Sequence, residues 1–399
     1  MAEAPKVINM KRRHNKAAVK ARQMGAPPAS RLETVTPPSW DSVIDARIQE
    51  RFAAFEKRLE QSLDGLQARL EQALASSGRR ETGWQDGPWA SVFSLLEGVG
   101  TTTELLSTIR EAGALVIDRL QDLGFVTVLA ETITNVATHV PSDVDEFGYD
   151  QEFEDKLRPL VEFLYYKWWR VEMTGVEHIP DYGRVLLVSN HSGTLPFDGA
   201  MIKFGIRELH PAHRIARILM HDLFNSFPVI GPILCKAGAV RACHENGEKL
   251  LRRDHLTMVF PEGAKGTGKY FKNRYKLERF GRGGFVQLAA RCQAPIVPVC
   301  VVGAEEIYPI LENWTVVAKL FNLPYFPITP TFPWLGLLGL IPLPSKWYID
   351  IGEPIRYDHL SPEDLNDDFL MDNLGNEVRQ QIQQMIHNRL KQRRSVWRG

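Results

Sequence analysis

The chain has 399 residues, 44% of them hydrophobic, which is enough for one substantial core with accessory segments. Its 48 basic and 48 acidic residues balance, and this argues against a chain-wide positive field of the kind that binds nucleic acid. The N-terminus lacks the apolar run of a signal peptide, and the cysteines show no Cys-x-x-Cys pairing. We therefore expect free thiols in a reducing compartment.

The first 150 residues divide into four segments by composition. Residues 1–40 are basic and contain a proline pair near their end, which predicts a disordered tail. In residues 41–76, apolar side chains recur every three or four positions. This predicts an amphipathic helix that either self-associates as a coiled coil or packs on the rest of the chain. The composition of residues 77–99 predicts a linker. Residues 100–150 are predicted to be helical, with membrane association as one interpretation.

Residues 151–360 carry the main domain in this prediction. It opens with a helix at about 151–170, after which short apolar strands alternate with helical stretches. This alternation predicts an α/β domain in which helices cover a sheet and strand ends carry functional loops. The predicted strands are 185–188, 257–260, 295–302 and 347–351, and the predicted helices are 199–208, 222–236, 245–253 and 282–293. Residues 361–399 are expected to form a C-terminal helix and a basic tail.

Two features of the chain bear on membranes. Both ends are basic, which indicates either solvated tails or attraction to an anionic lipid surface. The most apolar window, residues 326–343, contains Pro327, Pro330 and Pro333 and is too short after them for a span of about 20 residues. We therefore predict no transmembrane helix here, but either a buried loop or one that dips into the membrane interface.

A histidine and a carboxylate share one short loop after the strand predicted at 185–188. His191 can accept a proton near neutral pH, and Asp198 can hold the imidazole in one tautomer and stabilise its charged form. The loop must bulge for the two side chains to meet; otherwise Asp198 is only an N-cap of the next helix. The loop contains no cysteine or lysine nucleophile, and Ser192 is adjacent to His191. The pattern favours a reaction in which the substrate supplies the nucleophile, such as a hydroxyl.

Three further segments carry candidate binding groups. Glu262 shares a turn with Gly263 and could bind a substrate hydroxyl, orient a cation or cap the turn. Arg241 could hold a phosphate through its planar guanidinium or form a surface salt bridge. A glycine-rich basic loop follows Glu262, and it could receive an anionic substrate or be only solvated. Its basic residues are Lys265, Lys269, Lys272, Arg274, Lys276, Arg279 and Arg282.

The order of these motifs resembles that of the glycerolipid and lysophospholipid acyltransferase family. The motifs are Asn190-His191 with Asp198, Gly238-x-x-Arg241, Phe260-Pro261-Glu262-Gly263, Gly284-Phe285 with Leu288-Ala289, and Pro295 to Val299. The resemblance covers roughly residues 155–355. It implies an acyltransferase-type mixed sheet flanked by helices, with an added helical N-terminal region.

The resemblance also implies a mechanism. His191 would act as general base on an acceptor hydroxyl, and Asp198 would orient and support it. The hydroxyl oxygen would attack an acyl thioester, carried by coenzyme A or acyl carrier protein as cosubstrate. The resemblance implies no bound cofactor, no metal and no covalent acyl-enzyme. The residues that would bind substrate are Asn190, Gly238, Arg241, Glu262, Gly263 and Lys265.

The chain departs from the family pattern at two places. The family usually has four residues between the histidine and the aspartate, whereas six, Ser192 to Phe197, separate them here. Ala264-Lys265-Gly266 stands where Thr-Arg-Ser is common, so a strict lysophosphatidate specificity is not implied, and Lys265 would supply the cation.

Two alternatives to acyl transfer remain at this point. One is a thioesterase or lipid hydrolase of the same fold, in which water replaces the acceptor. The other is a non-enzymatic membrane-associated scaffold whose working part is the helix 41–76. For an acyltransferase we expect a cytoplasmic protein, peripheral on the inner face of the membrane. Its expected partners are the lipid surface and the acyl thioester, with self-association through 41–76 as an option and no nucleic acid.

Overall fold

The structure, a computed structural model, describes residues 124–140, 143–221, 230–320, 323–333 and 339–397. The predicted tail 1–40, helix 41–76 and linker 77–99 lie outside the described residues, as do residues 100–123. No described helix is both long enough and apolar enough to cross a bilayer.

Helices and strands alternate through most of the described chain. The helices are α1 Phe125–Ala137, α2 Gln151–Glu162, α3 Phe197–Leu209, α4 Ile230–Lys236, α5 His244–Arg252, α6 Ala264–Thr267, α7 Gly284–Arg291, α8 Thr315–Leu320 and α9 Asp368–Gln392. The strands are β1 Glu172–Thr174, β2 Val185–Ser189, β3 Ala216–Met220, β4 Ala239–Arg241, β5 Leu256–Val259, β6 Ile296–Val302, β7 Glu312–Asn313, β8 Pro327–Ile328 and β9 Tyr348–Ile351. A π-helix, Phe163–Trp168, continues α2.

Within the described residues, seven strands form one mixed sheet in the order β1-β9-β6-β2-β5-β3-β4. All neighbours pair in parallel except β6 and β9, which are antiparallel. The strands β7 and β8 form a separate antiparallel pair. This arrangement confirms the predicted α/β class and the mixed sheet flanked by helices.

Alternate residues of the central strand β2 face two separate cores. Val185 and Leu187 belong to one apolar cluster, together with residues of α3 and the aromatic end of α2. Leu186 and Val188 belong to the other, together with residues of α7 and α9. Because helices cover both faces, every residue of β2 is buried. A strand buried on both faces has a continuous apolar sequence, and this pattern allowed β2 to be predicted from the sequence.

The aromatic run after α2 packs inside the protein. Phe163, Tyr165, Trp168 and Trp169 are buried in the cluster on the α3 face of the sheet, whereas Tyr166 is exposed. The indole groups of Trp168 and Trp169 donate to the carbonyls of residues 342 and 343, at 3.0 and 3.1 Å. Core packing therefore accounts for the density of aromatic residues in this run.

Three strands of the mixed sheet, β1, β3 and β4, were not predicted from the sequence, and neither was the separate pair β7 and β8. β3 contains Arg217, whose side chain is buried and donates to the Asp145 carboxylate and to the carbonyl of Gly238. A charged residue at the second position of this five-residue strand interrupts its apolar pattern. β1 and β4 have three residues each, which is too short for a periodicity.

Candidate active site

The loop between β2 and α3 begins at a position fixed by the sheet. Asn190 directly follows β2 and is fully buried. Its side-chain amide donates to the carbonyl of Val301 at 3.0 Å, and its side-chain oxygen accepts the backbone N–H of the same residue at 2.8 Å. Asn190 was predicted to bind substrate, but the structure places its side chain against β6. There it fixes the point from which His191 projects.

His191 and Asp198 meet in spite of the longer spacing between them. Nδ1 of His191 lies 2.7 Å from Oδ2 of Asp198. The same oxygen accepts the backbone N–H of Ser192 at 2.9 Å, which holds the bulged loop closed. α3 begins at Phe197 and its N-cap is Pro196, so Asp198 lies inside the first turn and does not cap the helix. The bond to Asp198 places the proton on Nδ1 and leaves Nε2 as an acceptor.

The imidazole of His191 is held between the carboxylate and an aromatic ring. The ring of Phe260 stacks on it with 4.5 Å between centroids and an angle of 30°. His191 is 9% exposed and Asp198 is 0% exposed. The pair is therefore largely shielded from solvent.

An apolar cavity of about 320 Å³ adjoins His191. Its wall follows one side of α3 from Gly199 to Glu208, a distance of about 14 Å at the rise of an α-helix. Most of the lining is hydrocarbon or aromatic, as in sites that hold apolar ligands. Lining residues near the histidine include Phe260, Gly263 and Tyr325. The arrangement places a general base at the edge of a space suited to a hydrocarbon chain.

Glu262 lies behind the histidine and outside the lining of this cavity. Its Oε1 accepts the backbone N–H of His191 at 2.9 Å, and its Oε2 accepts the backbone N–H of Glu278 at 2.8 Å. Its side chain is 0% exposed. The predicted contact of Glu262 with an acceptor stays a prediction, and the geometry favours a supporting role.

Lys269 and Glu305 stand next to Glu262 in the interior. Nζ of Lys269 lies 3.2 Å from Oε2 of Glu262 and 3.2 Å from Oε1 of Glu305. Burial raises the pKa of Glu305 to about 7, although the Lys269 charge and a hydrogen bond from the Tyr275 N–H oppose this rise. Burial lowers the pKa of Lys269, but the two carboxylates raise it by more, so it lies above its usual value. The ammonium of Lys269 therefore stays charged at neutral pH.

Of the remaining predicted site residues, Gly263, Lys265 and Arg241 lie along one edge of the sheet, whereas Gly238 directly precedes β4 at its other end. Because β2, β5, β3 and β4 are parallel, their carboxyl ends share this edge. Gly263 follows β5 and lines the cavity, and Lys265 is exposed on α6. Arg241 ends β4 and is exposed. Three strand spacings, about 14 Å, separate the ends of β2 and β4. Gly238 has φ +91°, and a Cβ there would lie 2.9 Å from Nζ of Lys203.

Comparison with known proteins identifies the class of this fold. Residues 170–302 match the Acyltransferase family. An uncharacterized protein of Mycobacterium tuberculosis is 49% identical over 257 residues, which cover 64% of this chain and 72% of that protein. The chain belongs to the acyltransferase family. This finding confirms the resemblance seen in the motifs, and the matched region contains His191, Asp198, Arg241 and Glu262.

Two more distant similarities were found for this acyltransferase. The human protein named DGAT1/2-independent enzyme synthesizing storage lipids is 24% identical over 244 residues, which cover 59% of this chain and 71% of that protein. The crystal structure of a 1-acyl-sn-glycerophosphate acyltransferase from Thermotoga maritima is 15% identical, covers 72% of this chain and 99% of that chain, and has a TM-score of 0.44.

In the described part of the acyltransferase, no three or more His, Cys, Asp or Glu side chains are grouped so that they could hold a metal ion.

Gly266 is a residue of the site that the sequence motifs did not single out for this role. A Cβ at this position would lie 2.8 Å from the carbonyl oxygen of His191 and 3.0 Å from its Cβ. It would also lie 2.8 Å from Cβ of Glu262. Gly266 therefore lets α6 approach the histidine closely.

Gly266→Ala is expected to displace the His191 backbone and to lower the free energy of unfolding by about 1–3 kcal/mol, the usual cost of overpacking. Activity should fall together with stability. Chemical denaturation and a steady-state assay measure the two effects. Gly284→Ala is the matched control, because the nearest atoms to a Cβ there are 3.6 Å away. Equal stability and activity in both variants would contradict the tight contact at Gly266.

Proposed function

We propose that the protein transfers a fatty acyl group from an acyl thioester, on coenzyme A or acyl carrier protein, to a hydroxyl of a glycerolipid or lysophospholipid. The observation that carries the proposal is the His191–Asp198 pair at the edge of the apolar cavity. The base suits a hydroxyl nucleophile, and the cavity suits the hydrocarbon chain of a donor or acceptor. Membership of the acyltransferase family supports the same reaction class.

The proposed reaction uses His191 twice. Nε2 removes the proton of the acceptor hydroxyl while the oxygen attacks the thioester carbonyl. Asp198 stabilises the imidazolium that forms, through its bond to Nδ1. When the tetrahedral intermediate collapses, the carbon–sulfur bond breaks and the thiolate takes the proton from Nε2. The ester and the free thiol leave, and the histidine is neutral again. We expect the mainly apolar surface of the cavity to disfavour bound water, which would favour transfer to the acceptor over hydrolysis.

The basic residues of the loop after Glu262 indicate that a substrate or surface bound here is anionic. Lys265, Lys272, Arg274 and Lys276 are exposed, and they follow the strand end beside the histidine. We propose that they attract phosphate groups of a lipid surface or of the acyl donor, and that Arg241 and Lys265 contact the acceptor. This proposal places the protein on the inner face of the membrane as a peripheral protein. The human relative's name refers to storage lipids, which is compatible with a neutral glycerolipid acceptor as well.

Identification of the labelled product tests the proposal. The protein is incubated with a mixed lipid extract and either labelled acyl-coenzyme A or labelled acyl carrier protein, and products are identified by mass spectrometry. We expect the label in an ester of a glycerolipid. A labelled free fatty acid as the sole product would favour a thioesterase or hydrolase. No consumption of either donor would favour the scaffold.

A further inference from the structure

The site contains a buried lysine for which the mechanism above has no use. The side chains of Lys269, Glu262 and Glu305 are 3%, 0% and 6% exposed. We call these three residues the Lys269 cluster. Lysine is rarely buried to this extent unless it is paired, and here it is paired with two carboxylates at 3.2 Å each.

The Lys269 cluster joins the ends of the two strands that flank the histidine strand. In the sheet β2 lies between β5 and β6. Glu262 follows β5, and Glu305 lies in the 3-10 turn Ala304–Glu306 after β6. Lys269 therefore spans the end of β2, from which His191 emerges.

Each carboxylate of the cluster also holds a backbone group. Glu262 accepts the N–H of His191 at 2.9 Å and that of Glu278 at 2.8 Å. Glu305 accepts the N–H of Tyr275 at 2.9 Å through its second oxygen. A hydrogen bond to an ionised carboxylate is about twice as strong as a neutral one, so the charge on Glu262 tightens its bond to His191. Lys269 is the cation that keeps this buried charge on Glu262 in place.

We propose that Lys269 is a positioning residue for acyl transfer, which acts through Glu262 on the backbone of His191. The inference rests on the proposed function for its kinetic test. Its structural test does not depend on that function. Without Lys269, Glu305, the carboxyl group with the raised pKa, would take up a proton, and the buried carboxylate of Glu262 would lose the cation that holds it in place. Glu262 would then hold the His191 N–H less firmly.

The kinetic test compares Lys269→Met with Lys249→Met. The matched control is Lys249, a residue of α5 that forms a partly exposed ion pair with Glu146. For Lys269→Met we expect kcat to fall about 100-fold, as for a misplacement of about 1 Å, with the KM of donor and acceptor changed by less than about threefold. For Lys249→Met we expect wild-type kinetics. A wild-type kcat in Lys269→Met would overturn the proposal, and so would a loss confined to KM.

Hydrogen–deuterium exchange tests the same inference without any substrate. In Lys269→Met, the peptide that contains His191 should exchange faster than in wild type, whereas peptides of β6 should exchange equally in both. If wild type transfers no acyl group but this local change appears, the positioning role stands and the proposed function fails. Unchanged exchange at His191 would overturn the positioning role whatever the activity.

A double variant covers the case in which Lys269→Met does not fold. Lys269→Met with Glu305→Met replaces a buried ion pair by apolar side chains, a change that is often neutral for stability. It removes the surplus carboxylate but still leaves Glu262 without its cation. We expect this variant to fold and to keep the low kcat and the fast exchange at His191. A folded double variant with wild-type kcat and exchange would contradict the proposal.

Discussion

In the His191→Ala variant, kcat for acyl transfer is expected to fall by about 10²–10⁴-fold, the usual contribution of a general base. The fold should persist, because Asp198 keeps its hydrogen bonds from the backbone N–H groups of Ser192 and Gly199. The free energy of unfolding should fall by about 1–3 kcal/mol, since one hydrogen bond to a buried carboxylate is lost. Steady-state kinetics, circular dichroism and urea denaturation measure these quantities.

The matched control for this substitution is His387→Ala. His387 is exposed on α9, so its removal should change neither kcat nor stability. The KM values of His191→Ala should stay near those of wild type, because the rest of the cavity wall is unchanged. If His191→Ala retained full kcat, the assignment of the base would be wrong and a different proton acceptor would have to be sought.

Asp198→Asn is expected to lower kcat by up to about 10⁴-fold, the loss known for the same change in other histidine–aspartate pairs. Asparagine has nearly the same shape, and its side-chain oxygen can still accept the N–H of Ser192. It cannot stabilise the imidazolium by charge, and its amide can force the histidine into the other tautomer. Because Asp198 is fully buried, little solvent lies between its carboxylate and the ring nitrogen 2.7 Å away.

Asp254→Asn is the control for Asp198→Asn. Asp254 pairs with Arg184 on the surface at 2.8 Å, and such pairs contribute little to stability. Kinetic assays of both variants show whether the loss of kcat is specific to Asp198 or follows the removal of any carboxylate. Thermal unfolding of both variants checks that the fold is retained. A small loss of kcat in Asp198→Asn, below about threefold, would show that the aspartate only shapes the loop.

The sequence predicted four strands that are mainly apolar, and it missed the strands of two or three residues and β3, which contains an arginine. β2, β5, β6 and β9 lie within one or two residues of their predicted bounds, and so does α3. β3 carries the buried Arg217, whose partner Asp145 lies far away in the chain. A pairing of this kind depends on the tertiary structure, and no local periodicity in the sequence indicates it.

The motifs named candidate site residues, but they did not predict where each of them lies. His191 and Asp198 were brought together by a bulge that a fixed family spacing does not describe. Asn190 and Glu262 were expected at the substrate, and the structure shows both bonded to backbone groups around His191. A motif gives the type and order of residues. Whether a carboxylate faces the cavity or the interior depends on partners such as Lys269, which the sequence indicated only as one of the basic residues of the loop after Glu262.

The pairing of β1 with β9 has a consequence for how this protein is made. Glu172 lies opposite Tyr348, so the first and the ninth strands of the described chain are neighbours in the sheet. During synthesis, β2, β5, β3, β4 and β6 can pair before β9 leaves the ribosome, and the loop with His191 can be in place by then. Until β9 arrives, β6 presents an open edge that can pair with another chain. The pairings of β9 with β1 and β6 join residues far apart in the chain, and they therefore form last. A pause in translation before residue 348 would prolong the stage at which the open edge of β6 can aggregate.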